Sequence, residues 1–412
     1  MIQKVLIIDN DTTFAKTLQN SLETYTSTLS EIESDLSVSY ESINHYDLYI
    51  IRLDEKSDAT IEKLSDDDKF VIILTDQDTK EIREKILSHH VTDYVITNTL
   101  MAKDFVTKIV QRVIRNAEKN ILIVDDSKVI LTQISMLLEM QNISHIQCLD
   151  GKDALEYLND PASKKIDLVV TDYEMPLLNG YELVKQIRDK YALEELPVLV
   201  LSGSEDTYMI SRFLKAGAND FITKPFLNEE FLSRINNAIS VGDMFEKIKN
   251  MAMTDHLTGL HNRAYFYDTG VKVIEIEKRA NKPLALAMLD IDNFKNINDT
   301  YGHELGDRAL IHISQIILKT LRASDVFVRF GGEEFVVLLP NCTHINAIKT
   351  MQKVCKNVAE SALKVDEKKS INITLSIGVN SKLDAVDKML ERADKFMYTA
   401  KESGKNRVYS QE

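Results

Sequence analysis

Short, nearly continuous apolar runs recur through the first half of the chain, each separated from the next by a polar turn and a helical pattern. Runs of this kind are typical of parallel strands that helices cover on both faces. The pattern occurs twice, which indicates two related α/β domains. The matching segments are 4–11 with 120–127, 46–52 with 166–172, 70–75 with 197–202, and 91–95 with 218–222.

The last third of the chain has a different pattern, in which two apolar segments flank a pair of glycines. Residues 328–339 predict a β-hairpin with Gly331 and Gly332 in its turn. Glycine suits a positive φ or the close approach of a ligand to the backbone. Glu333 and Glu334 follow directly, and two such carboxylates favour a divalent-cation site over a plain turn. An ordinary exposed hairpin tip is the alternative that this segment alone leaves open.

Composition narrows the classes of protein to which the chain can belong. Its 412 residues, 44% of them hydrophobic, are enough for about three domains with real cores. A net charge of −14 argues against general nucleic-acid binding, so we expect no direct DNA contact. No apolar run approaches a membrane span, and the N-terminus lacks the features of a signal peptide. Cys148, Cys342 and Cys355 are too scattered for a metal cluster and predict a reducing cytoplasm.

In the second repeat, polar side chains stand where predicted strands end. Asp125, Asp126 and Asp172 fall at carboxyl ends of strands, the edge where open α/β sheets place their sites. Clustered carboxylates repel one another unless a cation lies between them. Ser202 and Lys224 end two later strands and add a hydroxyl and an ammonium. Lys224-Pro225 is a candidate cis peptide bond.

This set resembles the receiver domain of two-component response regulators, over about residues 119–240. The resemblance rests on the acid pair, on Asp172 followed by Met175-Pro176, on Ser202 and on Lys224-Pro225. It implies a flavodoxin-like (βα)5 fold that takes a phosphoryl group from a sensor histidine kinase or another phosphodonor. The roles that it implies are phosphate acceptor for Asp172, ligands of one Mg²⁺ for Asp125, Asp126, Asp172 and the Glu174 carbonyl, phosphoryl contacts for Ser202 and Lys224, and switch aromatic for Phe221.

The first repeat departs from this pattern. Arg52 stands at the acceptor position, and Thr97 or Asn98 stands where the lysine would be. Since arginine cannot accept a phosphoryl group, we predict that its guanidinium lies among Asp9 and Asp11 in place of a metal ion. A drifted surface arginine is the alternative. Residues 1–117 are therefore predicted to be a pseudo-receiver used for packing or dimer contacts.

A helix over 231–253 is predicted to leave the second repeat. Its apolar residues form a stripe that is interrupted near Gly242. The stripe fits either pairing with its copy in a homodimer or packing on its own domain. These residues are Leu232, Ile235, Ile239, Phe245, Ile248 and Met251.

A buried strand in the last third, residues 284–292, ends in acids. Asp290 could converge with Glu333 and Glu334 if the two strands are neighbours in one sheet. Three such oxygen ligands suit Mg²⁺ and leave room for phosphates and water. A turn over 293–299 and a helix from Gly302 onward are expected to follow.

At this point the last third resembles the GGDEF-domain diguanylate cyclases, over about residues 250–410. The motifs that carry the resemblance are 255–263 (DHLTGLHNR), 290–295 (DIDNFK), 298–299 (ND), 306–307 (GD) and 331–335 (GGEEF). With two receivers in front, the layout is similar to the PleD-type response regulators. The expected domains are 1–117, 118–240, a helical linker 241–253, and 254–412 with a mostly antiparallel sheet flanked by helices.

The resemblance implies that two GTP molecules condense to cyclic di-GMP, with release of two pyrophosphates, across a homodimer. It implies two Mg²⁺ or Mn²⁺ ions per site, with Glu333 as the proposed base. The implied metal ligands are Asp290, the Ile291 carbonyl, Glu333 and Glu334. The implied substrate contacts are Asn298 and Asp307 to guanine, His303 beside the nucleotide, and Lys295, Lys401 and Lys405 to phosphates.

A short motif before the hairpin, Arg322 and Asp325, resembles the inhibitory product site of that family. A surface ion pair is the plain alternative. For the domain as a whole, the competing hypotheses are a GTP or cyclic di-GMP sensor that has lost turnover, and a cyclase with relaxed base choice.

Overall fold

The structure is a computed structural model that describes residues 2–26, 29–34, 43–54, 57–203, 207–366 and 369–411. The chain divides into two compact units, Met1–Phe245 and Glu246–Glu412. The first unit holds two five-stranded sheets, and the second holds one six-stranded sheet with a small two-stranded one. Among the described residues, no helix combines the length and the apolar character that crossing a bilayer needs.

The first domain is a parallel sheet with the strand order β2-β1-β3-β4-β5. Its strands are nearly all apolar because helices cover both faces of the sheet. Asp11 begins the first helix by accepting hydrogen bonds from the amides of Thr13 and Phe14. The described elements are β1 Lys4–Ile8, α1 Thr12–Tyr25, β2 Leu29–Glu33, β3 Leu48–Arg52, α2 Asp58–Asp66, β4 Phe70–Thr75, α3 Lys80–Ser88, β5 Asp93–Ile96 and α4 Ala102–Asn116.

The second domain repeats this topology, with the order β7-β6-β8-β9-β10 and only parallel pairs. Both domains therefore have the flavodoxin-like order that the repeat predicts. The elements are β6 Asn120–Val124, α5 Lys128–Glu139, β7 Ser144–Cys148, α6 Gly151–Asn159, β8 Leu168–Asp172, α7 Gly180–Arg188, β9 Val198–Ser202, α8 Thr207–Ala216, β10 Asp220–Thr223 and α9 Asn228–Met253.

Helix α9 starts three residues before the predicted boundary and has two different halves. Phe231, Ile235 and Ile239 are buried in the core of the second domain. Beyond them, Ile248 and Met251 are 65% and 79% exposed. The first half therefore packs on its own domain, which was one of the two alternatives for this helix. The second half presents an exposed apolar face.

The second unit is built on a mixed sheet with the order β11-β13-β14-β12-β17-β18. The three central pairs are antiparallel, and the two outer pairs are parallel. Its elements are β11 His261–Asn262, α10 Arg263–Tyr265, a π-helical turn Phe266–Gly270, α11 Val271–Arg279, β12 Leu284–Ile291, α12 Phe294–Tyr301, α13 His303–Thr320, β13 Val326–Gly331, β14 Glu334–Pro340, α14 His344–Glu360, β15 Leu363–Lys364, β16 Ser370–Ile371, β17 Leu375–Asn380, α15 Val386–Glu402 and β18 Arg407–Ser410.

One predicted turn is wrong, because Phe294–Tyr301 forms a helix. Its apolar side chains explain the difference. Phe294 is buried, and Ile297 and Tyr301 pack against the same core. The spacing of three and four residues between them is helical, but the polar residues between them hide the pattern in the sequence.

Arg52 of the first domain forms the predicted internal ion pairs with acids. One of its two partners is the predicted Asp9, and the other differs from the prediction. Its guanidinium holds Asp9 through two bonds, Nε to Oδ1 at 2.6 Å and NH2 to Oδ2 at 3.0 Å. The second acid is Asp76, 2.7 Å from NH1, whereas the predicted Asp11 caps helix α1. Thr97, at the place of the receiver lysine, contacts the same NH1 at 3.0 Å. A fixed cation therefore occupies the acidic end of this sheet.

Candidate functional site

The second domain gathers its acids at the carboxyl ends of β6 and β8, which are neighbours in the sheet. One oxygen from each of Asp125, Asp126 and Asp172 lies within 4.8 Å of the others. Asp125 is 1% and Asp172 7% exposed, while Asp126 faces solvent. This donor set fits a hard divalent cation that keeps part of its water shell.

Lys224 crosses this cluster from the end of β10. Its ammonium lies 2.7 Å from Asp125 Oδ2 and 2.6 Å from Asp172 Oδ1. Burial raises the pKa of Asp172, while the Lys224 ammonium acts to lower it. The Lys224–Pro225 peptide is cis, as the sequence suggested.

The remaining predicted receiver residues surround these acids. Ser202 ends β9 and is 2% exposed. Phe221 is half-buried on β10, against the apolar core of the domain. The Glu174 amide donates to Asp172 Oδ2 at 3.1 Å, which holds the following loop against the acid cluster. The structure thus brings the Lys224 ammonium to Asp125 and Asp172 and places Ser202 at the same edge of the sheet.

The second acidic site lies in the mixed sheet, where β12 and β14 are adjacent. Asp290 pairs directly with Glu334 across the two strands. The hairpin turn consists of Gly332 and Glu333, because β13 continues through Gly331. Glu333 is therefore a turn residue and not the first residue of the strand, which is how two sequential glutamates approach one strand end.

Asp290 is the buried centre of this site, with 4% exposure. Burial raises its pKa to about 6; Lys401 acts to lower it, and repulsion from Glu333 and Glu334 adds to the rise. Lys401 Nζ lies 2.8 Å from Asp290 Oδ1. Mutually repelling carboxylates at one strand end fit a divalent cation, which would relieve that repulsion. The Ile291 amide, 3.4 Å from the Glu333 carbonyl, ties the strand end to the turn.

The two glycines of the hairpin leave the turn open. Neither has a positive φ, so backbone conformation does not require them. A Cβ at Gly332 would meet no atom within 4 Å, and one at Gly331 would meet only Glu334 Oε2, at 3.1 Å. A glycine can serve either a positive φ or the close approach of a ligand to the backbone. The structure therefore favours the approach of a ligand as the reason for these two glycines.

Arg329 holds the turn in place, a role that the sequence reading missed. Its NH2 donates to the Gly332 carbonyl at 2.7 Å, and its NH1 lies 3.0 Å from Asp255 Oδ1. Although burial acts to raise it, hydrogen bonds from Thr258 and Arg329 lower the pKa of Asp255. The sequence does carry one sign of this role, because Arg329 is a charged residue inside an apolar strand, four residues before Glu333.

Asp292 is a second missed residue, and it organises the loops beside the acids. It is 4% exposed and accepts from the hydroxyls of Thr374 and Ser376, each at 2.6 Å, and from the Asn406 amide at 3.0 Å. Both of its oxygens accept hydrogen bonds, which favours a positioning role over that of a metal ligand. Through Asn406 it holds the turn that carries Lys405, whose Nζ lies 2.5 Å from Asn293 Oδ1.

Four of the six predicted substrate residues lie on the two helices that follow β12, whereas Lys401 lies in the last turn of α15 and Lys405 in the turn after it. Asn298 is half-buried on α12, and a Cβ at Gly306 of α13 would come within 1.9 Å of its Oδ1. His303, Asp307 and Lys295 are exposed nearby on the same two helices. Only a glycine at 306 therefore lets these helices pack with the Asn298 amide in its present position.

The Arg322 and Asp325 motif forms a closed turn before β13. Asp325 Oδ2 accepts from the Arg322 amide at 2.8 Å, and the Asp325 amide donates to the Arg322 carbonyl at 3.0 Å. The Arg322 side chain is exposed. Asp325 thus closes a turn by binding the backbone of Arg322. Its contact is with that backbone amide and not with the Arg322 guanidinium, as a surface ion pair would require.

Comparison with known proteins gives two family matches. Residues 252–407 match the family model described as "Diguanylate cyclase, GGDEF domain", and residues 121–236 match "Response regulator receiver domain". The chain is 29% identical to the response regulator PleD of Caulobacter vibrioides over 299 residues, which are 70% of this chain and 65% of that protein. It is 39% identical to diguanylate cyclase A of Treponema denticola over 168 residues, which are 39% of this chain and 45% of that one.

One solved structure is similar to more than half of this chain. It is described as a two-component system response regulator/GGDEF domain protein and superposes with a TM-score of 0.51 at 26% identity. The match covers 58% of this chain and 99% of that one. Residues 121–236 are thus a receiver domain and residues 252–407 a GGDEF domain, and the aligned part of the chain spans just under two thirds of the length of PleD.

Proposed function

We propose that the chain is a diguanylate cyclase that condenses two GTP molecules into cyclic di-GMP and two pyrophosphates. The observation that carries the proposal is the pairing of buried Asp290 with Glu334 beside the open Gly332–Glu333 turn. Acids at a strand end beside an unobstructed backbone suit a triphosphate held with divalent cations. The matches to GGDEF proteins support the same chemistry.

The metal ligands in this proposal are Asp290, the Ile291 carbonyl, Glu333 and Glu334. Bound Mg²⁺ or Mn²⁺, two ions per site, would offset triphosphate charge and lower the pKa of the attacking 3′-hydroxyl. Lys401 neutralises Asp290 until substrate binds and is then placed to turn to a phosphate, as are Lys295 and Lys405. Glu333, in the turn, is the proposed base that receives the proton of the hydroxyl.

Guanine recognition falls to Asn298 and Asp307, with His303 beside the nucleotide. The Asp307 carboxylate can accept from the N1–H and N2–H₂ groups of guanine, which adenine lacks. This favours GTP over ATP and argues against a cyclase with relaxed base choice.

Each domain binds one GTP, so two domains must face each other for both bonds to form. We propose that a two-fold homodimer supplies this arrangement and that phosphorylation of Asp172 by a sensor kinase favours it. One Mg²⁺ held by Asp125, Asp126, Asp172 and the Glu174 carbonyl would support that transfer, with Ser202, Lys224 and Phe221 reading its outcome.

The direct test is incubation of the purified full chain with Mg²⁺ and GTP, with and without acetyl phosphate, with products identified by mass. Cyclic di-GMP that increases with the phosphodonor is the expected result. Binding of GTP or cyclic di-GMP with no turnover under either condition would replace the proposal with the sensing module considered above.

Gly306→Ala is expected to raise the KM for GTP by roughly 10- to 100-fold, the loss of about 1–3 kcal/mol for a disrupted hydrogen bond. The new methyl group would displace the Asn298 amide that contacts it. Steady-state kinetics on the purified variant measure the effect. Gly242→Ala is the matched control, since its Cβ would meet only Pro197 Cγ, at 4.0 Å. An unchanged KM would remove Asn298 from the guanine site.

Arg322→Ala is expected to remove most inhibition by cyclic di-GMP while leaving the initial rate unchanged. The exposed guanidinium is available to a product phosphate or guanine, and Asp325 is available to the guanine edge. Progress curves with and without added product measure the effect. The control is Arg279→Ala, another exposed arginine of the same unit. Inhibition of equal strength in both variants would remove the product-site assignment.

A further inference from the structure

A cavity of about 1100 Å³ lies between the two α/β domains of the first unit. The first domain contributes residues from the end of α3, from β5 and from α4, and the second contributes residues from α5 and the start of α9. Its size is at the upper end for small-molecule sites. Asp125, Asp126 and Asp172 do not line it, so it is distinct from the proposed phosphorylation site.

The wall of this cavity is largely apolar and open to solvent. Leu87, Phe105, Val129 and Met136 all line it, with exposed fractions of 42%, 51%, 76% and 48%. Exposed apolar side chains that come together in one concave surface are a mark of a binding site. An apolar molecule in the cavity would remove these side chains from water.

The charges of the wall balance, which argues for a neutral ligand. Two acids, Asp93 and Glu229, face two bases, Arg112 and Lys128. Arg112 NH2 lies 2.6 Å from Asp93 Oδ2. Glu229 is held from outside the cavity by Arg83 and accepts from the hydroxyl of Tyr94 at 3.3 Å. An ionic ligand would find no excess of opposite charge here.

Polar atoms of the wall lack partners. Asn236 Oδ1 and Arg112 Nε are buried without a hydrogen bond, as is Gln141 Oε1. Gln141 itself is fixed, since its Nε2 donates to the Thr92 carbonyl at 2.6 Å. An unpaired buried polar atom costs about 1–3 kcal/mol, so a small rotation of Asn236 toward a ligand donor would be favourable.

We propose that this cavity binds a neutral amphipathic small molecule, with an apolar body and an N–H or O–H donor for Asn236. Because both domains form the wall, bound ligand would strengthen their contact. The cavity reaches Asn228 and Glu229, the first residues of the helix that leads into the second unit. The first domain, which lacks a phosphate acceptor, would thereby act as a ligand sensor.

The test uses the full chain and the fluorescent probe N-phenyl-1-naphthylamine, which is neutral and carries one N–H. We expect saturable binding of one probe per chain, at least tenfold weaker in Val129→Glu and in Met136→Glu, and weakened in Asn236→Ala. These positions, Asn236 aside, are exposed, so a charge there is compatible with folding. Leu318→Glu, at a 57% exposed position of the other unit, should bind as the parent does.

Non-saturating fluorescence, or equal affinity in all variants, would overturn the proposal. A second result would also overturn it: sedimentation velocity shows a dimer that Val129→Glu dissociates, and the probe fails to bind the parent chain. A second copy of the chain would then cover the cavity. The readout does not involve nucleotide, so its failure is distinguishable from failure of the proposed cyclase activity.

Discussion

Replacement of Asp290 by asparagine is expected to lower cyclic di-GMP formation by about 1,000-fold or more, or roughly 4 kcal/mol of transition-state stabilisation. Asp290 is the buried member of the acidic group, and an amide would remove its negative charge without changing its shape. Product formation from GTP and Mg²⁺, quantified by mass, measures the effect. Asp394→Asn, an exposed acid on α15, is the control. Activity within tenfold of the parent would show that Asp290 does not hold the metal.

The same variant has an expected signature in stability. The pKa of Asp290 rises from 3.8 to about 6 on folding. Its contribution to stability is thus complete below about pH 3.8 and is lost as pH rises through about 6. Without metal, Asp290→Asn should gain in free energy of unfolding relative to the parent as pH rises from about 3.8 to about 6, by up to about 3 kcal/mol. Urea denaturation at several pH values measures that difference, and a constant difference would contradict it.

The second large effect is expected at the receiver. Asp172→Asn should abolish the increase in activity that acetyl phosphate produces in the parent and leave the unstimulated rate in place. Asp172 is the acid that Lys224 and the Glu174 amide contact together, so it is positioned as the acceptor. The measurement is the rate with phosphodonor divided by the rate without it. This ratio should fall to about one, the value expected when the phosphodonor has no effect on the activity.

The control for this experiment is Asp189→Asn, an exposed acid of the same domain. It should respond to acetyl phosphate as the parent does. A phosphodonor response that survives in Asp172→Asn would mean that the signal enters elsewhere, and Mg²⁺-dependent phosphorylation at that other residue would then be sought by mass.

The receiver acids could be predicted from sequence for a simple physical reason. Buried strands are apolar along their whole length, so the first carboxylate after Val124 and that at Asp172 mark strand ends. Parallel neighbours place those ends at one edge of the sheet. The same logic indicated that Asp290 could converge with the hairpin glutamates if their strands were neighbours, and in the sheet Asp290 pairs with Glu334.

Long-range side-chain contacts were beyond such reasoning. Asp76 lies in the loop after β4, and only the folded sheet shows that it, and not Asp11, reaches Arg52. Asp11 was already engaged locally, as the cap of α1. Arg329 and Asp255 are 74 residues apart, and nothing in either local pattern indicates the other. The cavity between the first two domains depends on how two separate folds meet, which no strand or helix pattern records.

Arg52 also bears on how many phosphoryl groups one chain can accept. Where the second domain has Asp172, the first has Arg52, whose guanidinium holds Asp9 and Asp76 at the acidic end of the sheet. Under the proposed function each chain takes up one phosphoryl group, at Asp172, so intact mass after phosphodonor treatment should show one increment and never two. The first domain then adds no second phosphoryl group, and an input through it would take another form, such as the ligand binding proposed for the cavity.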